Sequence, residues 1–260
     1  MSMNGLKLNY VIEGEGETLL FIHGLSDNLL YWEVLASFLK KDYQILRIDL
    51  RGHGESPLGG DEITVDVYSD DLKSLLDELD IAKVNLIGFS LGGSVALDFA
   101  IKYPDMVSSL VLMSTFSRCD DHLNQVFSEF KRHLSRGFGD FYDYMIPMVL
   151  CPDVIENNRE ELQAIKEFAS INANVEAYIK AADVCLAFDV DDDLSEIKAS
   201  TLVLAGRHDE IFPLYCAERL HEKIENSQLV VLDGLKHNLL VGKNNAKIVD
   251  ILKKFYKKIS

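Results

Sequence analysis

Cysteine and basic residues are scarce in this sequence, and each shortage excludes a class of protein. The 4 cysteines in 260 residues form no CxxC pair and lie about 30 residues apart, a spacing that indicates neither a zinc site nor a redox motif. Lys and Arg number 26 against 42 Asp and Glu, and the resulting net charge of −16 repels nucleic-acid phosphates and anionic membranes. We therefore expect free thiols in a reducing cytoplasm, and neither nucleic acid nor a membrane as a partner.

Long hydrophobic runs and an export signal are also absent from the sequence. No apolar run approaches the ~18 residues of a membrane span, and no basic segment followed by an apolar one opens the chain. The composition, with 48% hydrophobic and 26% charged residues, is that of a globular protein able to bury one substantial core. The sequence thus predicts a soluble cytoplasmic protein, either a monomer or a homodimer.

Short apolar runs, typical of buried strands, alternate with helical periodicity over most of the chain. Strands are predicted at residues 6–13, 18–23, 43–50, 83–88, 108–114, 201–205 and 228–232, and helices at 31–40, 65–79, 91–102, 214–224 and 246–259. Strands that alternate with helices form a parallel sheet covered on both faces. The predicted fold class is therefore α/β, with a mostly parallel central sheet flanked by helices.

The alternation breaks between residues 117 and 198, where strand-like runs disappear and helical patterns take their place. We expect a helical lid here, inserted into a core domain of residues 1–116 and 199–260. Residues 117–198 carry 8 Lys or Arg and 17 Asp or Glu, and seven Phe or Tyr fall within residues 116–150. The expected result is an apolar pocket beneath an acidic mouth, which repels anions.

Ser90 lies in GFSLG, directly after an apolar strand and directly before a helix. A serine hydroxyl is a weak nucleophile, so it needs a sharp strand-to-helix turn that exposes it and a base that takes its proton. Gly88 and Gly92 flank the turn, where a side chain would collide with neighbouring backbone. Free N–H groups at the helix start can stabilise an oxyanion. This context predicts a nucleophile elbow at Ser90.

Four other motifs, taken together with GFSLG, resemble those of the α/β-hydrolase-fold serine hydrolases. They are FIHGL at residues 21–25, DLRGHGES at 49–56, LAGRHDEIFP at 204–213 and GLKHN at 234–238. The likeness covers nearly the whole chain, and it resembles in particular the capped carboxylesterases of the pimeloyl-carrier methyl esterase type. Lactonases and C–C bond hydrolases share much of the same frame, so the motifs specify the fold better than the substrate.

Ser90, Asp209 and His237 follow the chain order of that family's catalytic triad. Among the seven histidines, His237 is the one in a loop after the last strand. Asp209 follows the preceding strand, at the same edge of the sheet as Ser90. Glu210 and Asp233 are the competing carboxylates. The sequence therefore predicts a nucleophile, a base and an acid, with the acid chosen from three candidates.

The resemblance also implies an oxyanion hole formed by the backbone N–H groups of Leu25 and Leu91. Substrate contacts are expected from four further residues, namely Gly24, Phe116, Phe141 and Met145. The sequence contains neither a cluster of metal ligands nor a phosphate-binding glycine loop, so we expect no metal and no organic cofactor.

The function implied by the resemblance is that of a carboxylesterase-like hydrolase, which cleaves small to medium neutral esters through an acyl-enzyme on Ser90. The partner is then a small-molecule ester. Two alternatives stay open. One is C–C bond or lactone hydrolysis with the same triad, and the other is a receptor or regulator of this fold with little turnover.

Overall fold

Seven strands form the central sheet of the computed structural model, which describes residues 6–60 and 62–259. The strands are β1 (Tyr10–Glu13), β2 (Thr18–Ile22), β3 (Gln44–Ile48), β4 (Val84–Phe89), β5 (Val107–Met113), β6 (Ser200–Gly206) and β7 (Ser227–Leu232). Their spatial order is β1-β3-β2-β4-β5-β6-β7; β1 pairs antiparallel with β3, and the other pairs in this order are parallel. The α/β class with a mostly parallel sheet is confirmed. Residues 1–5, Asp61 and Ser260, which belong to the expected core domain, lie outside the described residues.

Helices cover both faces of this sheet. They are α1 (Glu33–Leu39), α2 (Val65–Glu78), α3 (Leu91–Lys102), α4 (Asp121–Leu134), α5 (Phe138–Val149), α6 (Pro152–Asn157), α7 (Arg159–Asn172), α8 (Val175–Ala187), α9 (Leu214–Lys223) and α10 (Asn244–Ile259). Leu110 and Leu112 of β5 pack in the core shared with α2, α3 and α9, whereas Val111 and Met113 pack in the core shared with α1 and α10. The two-residue alternation of the strand thus serves two cores. No helix within the described ranges combines the length and the hydropathy that crossing a bilayer requires.

The first strand is shorter than the predicted run over residues 6–13. It begins at Tyr10 because the backbone of Asn9 bonds elsewhere: its N–H donates to Ser56 Oγ at 2.8 Å, and its carbonyl accepts from Asp49 N at 2.9 Å. The helix predicted from residue 31 is preceded by a 3₁₀ turn, Leu29–Trp32, which the side chain of Asn28 caps. The first difference arises from contacts between segments distant in sequence, which periodicity does not report.

Five helices, α4 to α8, and a 3₁₀ turn at Leu194–Glu196 lie between β5 and β6. Helix α4 packs against α8 and α5, and α8 packs against α3 beside the sheet. An isolated bridge joins Arg118 to Asp189 where the segment leaves and rejoins the core. The segment is therefore the helical insertion that the loss of strand-like runs predicts, whereas its domain boundaries at 117 and 198 and its role as a lid stay predictions.

Candidate active site

Ser90 occupies the sharp turn between β4 and α3. Its backbone has φ 55° and ψ −121°, a conformation that L-residues rarely adopt. Hydrogen bonds hold it there, because its N–H donates to Met113 O at 3.0 Å and its carbonyl accepts from Thr115 Oγ1 at 2.8 Å. The strained turn is thus anchored to the end of β5, at the carboxyl edge of the sheet.

Two glycines leave room for this turn. A Cβ on Gly92 would lie 2.2 Å from the carbonyl oxygen of Ile22, and a Cβ on Gly88 would lie 2.3 Å from the carbonyl oxygen of Gly92. Neither distance is compatible with a side chain, because packed backbone cannot yield as a flexible side chain does. Glycine at both positions therefore lets α3 start directly against the ends of β2 and β4.

His237 and Asp209 form a buried hydrogen bond on the loops that follow β7 and β6. Asp209 Oδ2 accepts from His237 Nδ1 at 2.9 Å. Its Oδ1 accepts from the backbone N–H groups of Ile211 and Phe212, each at 2.9 Å. These bonds fix the carboxylate, and the carboxylate keeps the imidazole proton on Nδ1. The other ring nitrogen, Nε2, is left as a proton acceptor, which is the tautomer that a general base requires.

The two competing carboxylates bond elsewhere. Glu210 is exposed and pairs with Lys236, whereas Asp233 is exposed and pairs with Arg207. Asp209 is thus the one carboxylate of the three that contacts the histidine. Nowhere in the described part of the chain do three or more His, Cys, Asp or Glu side chains group as a metal site would require.

The loops that carry the predicted triad residues lie together at one edge of the sheet. The ring of Phe89, the residue before Ser90, lies 4.9 Å from the imidazole of His237 between ring centroids. Ser114, at the end of β5 where Ser90 is anchored, donates from Oγ to the carbonyl of His237 at 2.9 Å. The side chains of Ser90, Asp209 and His237 are all buried. The arrangement places the turn of Ser90 beside the hydrogen-bonded pair of His237 and Asp209, and the triad itself stays a prediction.

The loop after β2 lies against Ser90 and carries one of the predicted oxyanion donors. A Cβ on Gly24 would lie 3.1 Å from Ser90 Cβ, so this loop packs directly beside the nucleophile. Neither Leu25 N–H nor Leu91 N–H donates a hydrogen bond to another described residue. Ser26 has a φ of 65°, in the left-handed region that favours glycine. An oxyanion site needs free N–H groups of this kind beside the nucleophile, and the assignment to Leu25 and Leu91 stays a prediction.

His23 and Asp49 support this loop through hydrogen bonds. His23 Nδ1 donates to Gly24 O at 2.8 Å, and its Nε2 accepts from Leu50 N at 3.0 Å, so both ring nitrogens are occupied. Burial lowers the pKa of His23 to about 4, which keeps the ring neutral. Asp49 accepts from Leu29 N at 2.7 Å, where the chain leaves the loop. These residues position the loop and are bonded away from the reacting groups.

The insertion reaches the histidine loop through the end of α5. The last carbonyls of a helix lack partners within the helix. Pro147 O accepts from Lys236 Nζ at 2.6 Å, and Val149 O accepts from Asn238 N at 3.1 Å. The residues on both sides of His237 are therefore bound to the insertion.

A cleft of about 460 Å³ opens beside Asp209, between α4, α5 and the loop before α9. It is lined by His122, Gln125, Val126, Tyr144, Met148, Asp209, Glu210 and Pro213. Of the four predicted substrate contacts, Gly24 lies beside Ser90 and Met145 is partly exposed. Phe116 and Phe141 are 0% and 1% exposed and pack against other rings. In this conformation these two phenylalanines offer no surface to a ligand.

Sequence reasoning missed one side chain beside the nucleophile, Asp27. Its Oδ2 lies 3.2 Å from the point where a Cβ on Gly24 would stand, and Ser90 Cβ lies 3.1 Å from the same point. Burial raises the pKa of Asp27 to about 7, and the nearby His237 opposes this shift. The available signal was the acid in HGLSDN, just after a strand end, but an acid in a polar loop is ordinarily solvated.

Comparisons of the sequence with known proteins identify its family. The family model for the alpha/beta hydrolase fold matches residues 17–146. A relative from Caulobacter segnis, named as the carbamate hydrolase RutD, is 30% identical over 81% of this chain and 80% of its own.

Solved structures with the same fold cover almost the whole chain. A thermophilic esterase from Thermogutta terrifontis superposes with a TM-score of 0.87 at 28% identity, over 98% of this chain and 94% of its own. The enol-lactonase of Burkholderia xenovorans LB400 gives a TM-score of 0.91 at 24% identity, over 99% of both chains, a likeness that shows the fold. The chain therefore belongs to the alpha/beta hydrolase fold family and is a hydrolase of that fold.

Proposed function

We propose that this hydrolase is a serine esterase, which cleaves small to medium carboxylic esters, neutral rather than anionic, through an acyl-enzyme on Ser90. The observation that carries the proposal is the 2.9 Å hydrogen bond from His237 Nδ1 to Asp209, next to a serine held in a strained turn. The similarity to the Thermogutta terrifontis esterase, at 28% identity, supports the same bond class.

The proposed chemistry has two steps that share one base. Ser90 Oγ attacks the ester carbon while His237 Nε2 takes its proton, and the carbonyl electrons move onto oxygen, which accepts from Leu25 and Leu91 N–H. Collapse expels the alkoxide, which takes the proton from the imidazolium. Water then attacks the acyl carbon, His237 takes its proton and returns it to Ser90 as the acid leaves. Asp209 stabilises the imidazolium in both steps.

The preference for neutral over anionic substrates follows from the charge of the insertion. Residues 117–198 carry 17 acidic against 8 basic residues, so an anionic ester approaches against the field of the protein. The cleft of about 460 Å³ beside Asp209 lies in the range of small-molecule sites.

Turnover of p-nitrophenyl esters together with covalent labelling tests this proposal. A fluorophosphonate is expected to add one equivalent per chain, on the peptide that contains GFSLGG, and Ser90→Ala is expected to lose both the label and the turnover. The matched control is His208→Ala, at an exposed position next to Asp209. Labelling that persists unchanged in Ser90→Ala contradicts the assignment. A receptor of this fold would show at most one slow turnover per chain.

A second candidate function is hydrolysis of a carbamate. The similarity to the relative named carbamate hydrolase RutD favours it, and the same triad would transfer a carbamoyl group to Ser90 in place of an acyl group. The ratio of kcat/KM for phenyl carbamate to that for phenyl acetate separates the two functions, and a ratio above one would put the carbamate first. Lactones added to the same panel test lactone hydrolysis, an alternative for which the shared fold is the support.

A further inference from the structure

We propose that Asp27 binds a protonated amine of the substrate, so that the preferred esters carry a primary amine close to the bond that is cleaved. The inference rests on the proposed ester hydrolysis and moves the preferred substrates from neutral esters to cationic ones. It assigns a specificity-determining role to a residue outside the triad and the oxyanion donors.

The first support is the position of the carboxyl group. Asp27 Oδ2 and Ser90 Cβ lie 3.2 and 3.1 Å from one point, the place where a Cβ on Gly24 would stand. A methyl group at that point would already press against both, so glycine at residue 24 lets the carboxyl group and the nucleophile lie close together. A substrate bound at Ser90 therefore lies within reach of Asp27.

The second support is that Asp27 has unused bonding capacity. No described residue donates a hydrogen bond to its carboxyl group; its backbone N–H alone is paired, with Gly24 O at 3.2 Å. Neighbouring carboxylates are bonded differently: Asp209 accepts from three donors, and Asp49 also accepts from three. Asp27 is half-buried and its carboxyl oxygens are not enclosed, so a ligand that donates a hydrogen bond can contact them.

The third support is the set of ionisable groups that face Asp27. They are His237 on the loop after β7, Tyr31 in the 3₁₀ turn after β2, and Tyr178 on α8. Burial raises the pKa of both tyrosines, and the charge of Asp27 raises it further. No Lys or Arg of the described residues acts on the Asp27 carboxyl, so burial holds its pKa up at about 7. An ammonium group of a ligand would supply the missing cation.

The surroundings favour a cation over a neutral donor. The insertion, whose helix α8 carries Tyr178, has 17 acidic and 8 basic residues over residues 117–198, and the whole chain has a net charge of −16. The same field that repels anions attracts an ammonium group and raises its local concentration. The local carboxyl and the global field therefore select the same ligand charge.

Two isosteric pairs of esters test the proposal, each with an ammonium group in place of a methyl group. Phenyl 3-aminopropanoate and phenyl butanoate differ on the acyl side, whereas 3-(aminomethyl)phenyl acetate and 3-ethylphenyl acetate differ on the alcohol side. Each kcat/KM is divided by the ester's rate of alkaline hydrolysis to remove intrinsic reactivity. At pH 8 we expect the amine of at least one pair to be favoured about tenfold or more, as a hydrogen bond to a charged group allows.

Two variants separate the local contact from the general field. Asp27→Asn keeps the shape of the side chain and removes its charge, and the amine-to-alkyl ratio is expected to fall to about one. Asp105→Asn removes an exposed charge before β5, at the opposite edge of the sheet from Ser90, and is expected to keep the wild-type ratio. An unchanged ratio in Asp27→Asn overturns the proposal.

The pH dependence of the ratio gives a readout on the wild-type protein alone. Because the pKa of Asp27 is about 7, the carboxyl becomes neutral as the pH falls from 8 to 6, and the amine preference is expected to fall with it. Any effect of pH on the hydrolytic step itself acts on both esters of a pair and cancels from their ratio. Ratios near one for both pairs, with the alkyl esters hydrolysed, overturn the role of Asp27 and leave the esterase proposal standing. If none of the four esters is hydrolysed, both the esterase proposal and the role of Asp27 are overturned.

Discussion

The Asp27→Asn substitution is expected to stabilise the protein at neutral and alkaline pH. Burial raises the pKa of Asp27 from 3.8 to about 7 in the folded protein. Below about pH 4 the carboxyl is protonated in both folded and unfolded chains; its ionisation then costs the folded state progressively up to about pH 7, where the full cost is reached. About three pKa units correspond to roughly 4 kcal/mol, and the partial exposure of the side chain reduces this to about 2–4 kcal/mol.

Urea unfolding at pH 5 and pH 8 measures this effect. Trp32 is the one tryptophan of the chain and is 0% exposed, so its fluorescence reports the loss of the fold. We expect Asp27→Asn to raise the free energy of unfolding more at pH 8 than at pH 5, by about 1–3 kcal/mol. Asp105→Asn, at an exposed position, is expected to differ from the wild type by less than about 0.5 kcal/mol at both pH values.

The decisive quantity is the difference between pH 8 and pH 5 in the effect of Asp27→Asn on the free energy of unfolding. The cost of burying the new amide group is the same at both, so it cancels from the difference. A gain that does not change with pH, or a loss of stability at pH 8, would refute the reasoning, because the Asp27 carboxyl would then have to be solvated or paired with a cation in the folded protein.

Other substitutions and substrates test the remaining features of the site. Asp209→Asn and His237→Ala are each expected to lower kcat about 10³- to 10⁶-fold in steady-state ester hydrolysis, and an equal loss in exposed His208→Ala would contradict the assignment. Gly92→Ala is expected to lower the Tm sharply or prevent folding, since its Cβ would lie 2.2 Å from a backbone oxygen, whereas Gly60→Ala, with nothing within 4 Å, is expected to be nearly neutral in thermal unfolding. For esters that differ by a distal carboxylate or its methyl ester, kcat/KM is expected to favour the methyl ester, and added salt is expected to narrow the gap; a preference for the carboxylate at low salt would contradict the repulsive mouth.

Local signals in the sequence predicted the turn at Ser90 and the order of strands and helices along the chain. Helix α3 spans Leu91–Lys102, as predicted, because the turn at Ser90 starts it and Pro104 prevents its continuation. Strand β1 was predicted too long because the bonds of Asn9 to Ser56 and Asp49 join segments that are distant in sequence. Periodicity reports burial within one element, and it carries no information about such partners.

In the candidate site, too, the sequence predicted local features, whereas contacts between distant segments decided the rest. Chain order was enough to propose Asp209, but the choice against Glu210 and Asp233 needed the contacts, which place both competitors in exposed ion pairs. Aromatic enrichment suggested Phe116 as a substrate contact, yet composition cannot tell a ring that lines a pocket from one that other rings cover. Asp27 escaped notice because the effect of burial on a loop acid depends on the packing around it.

The bonds at the end of α5 make the alignment of the base depend on where the insertion stands. Lys236 and Asn238, one on each side of His237, both bind carbonyls of α5. A displacement of α5 would pull on the imidazole from both sides, so opening of the insertion and loss of base alignment would be one event and not two. A ligand that moves α5 through Tyr144 or Met148 in the cleft would then alter the rate of proton transfer without touching Ser90.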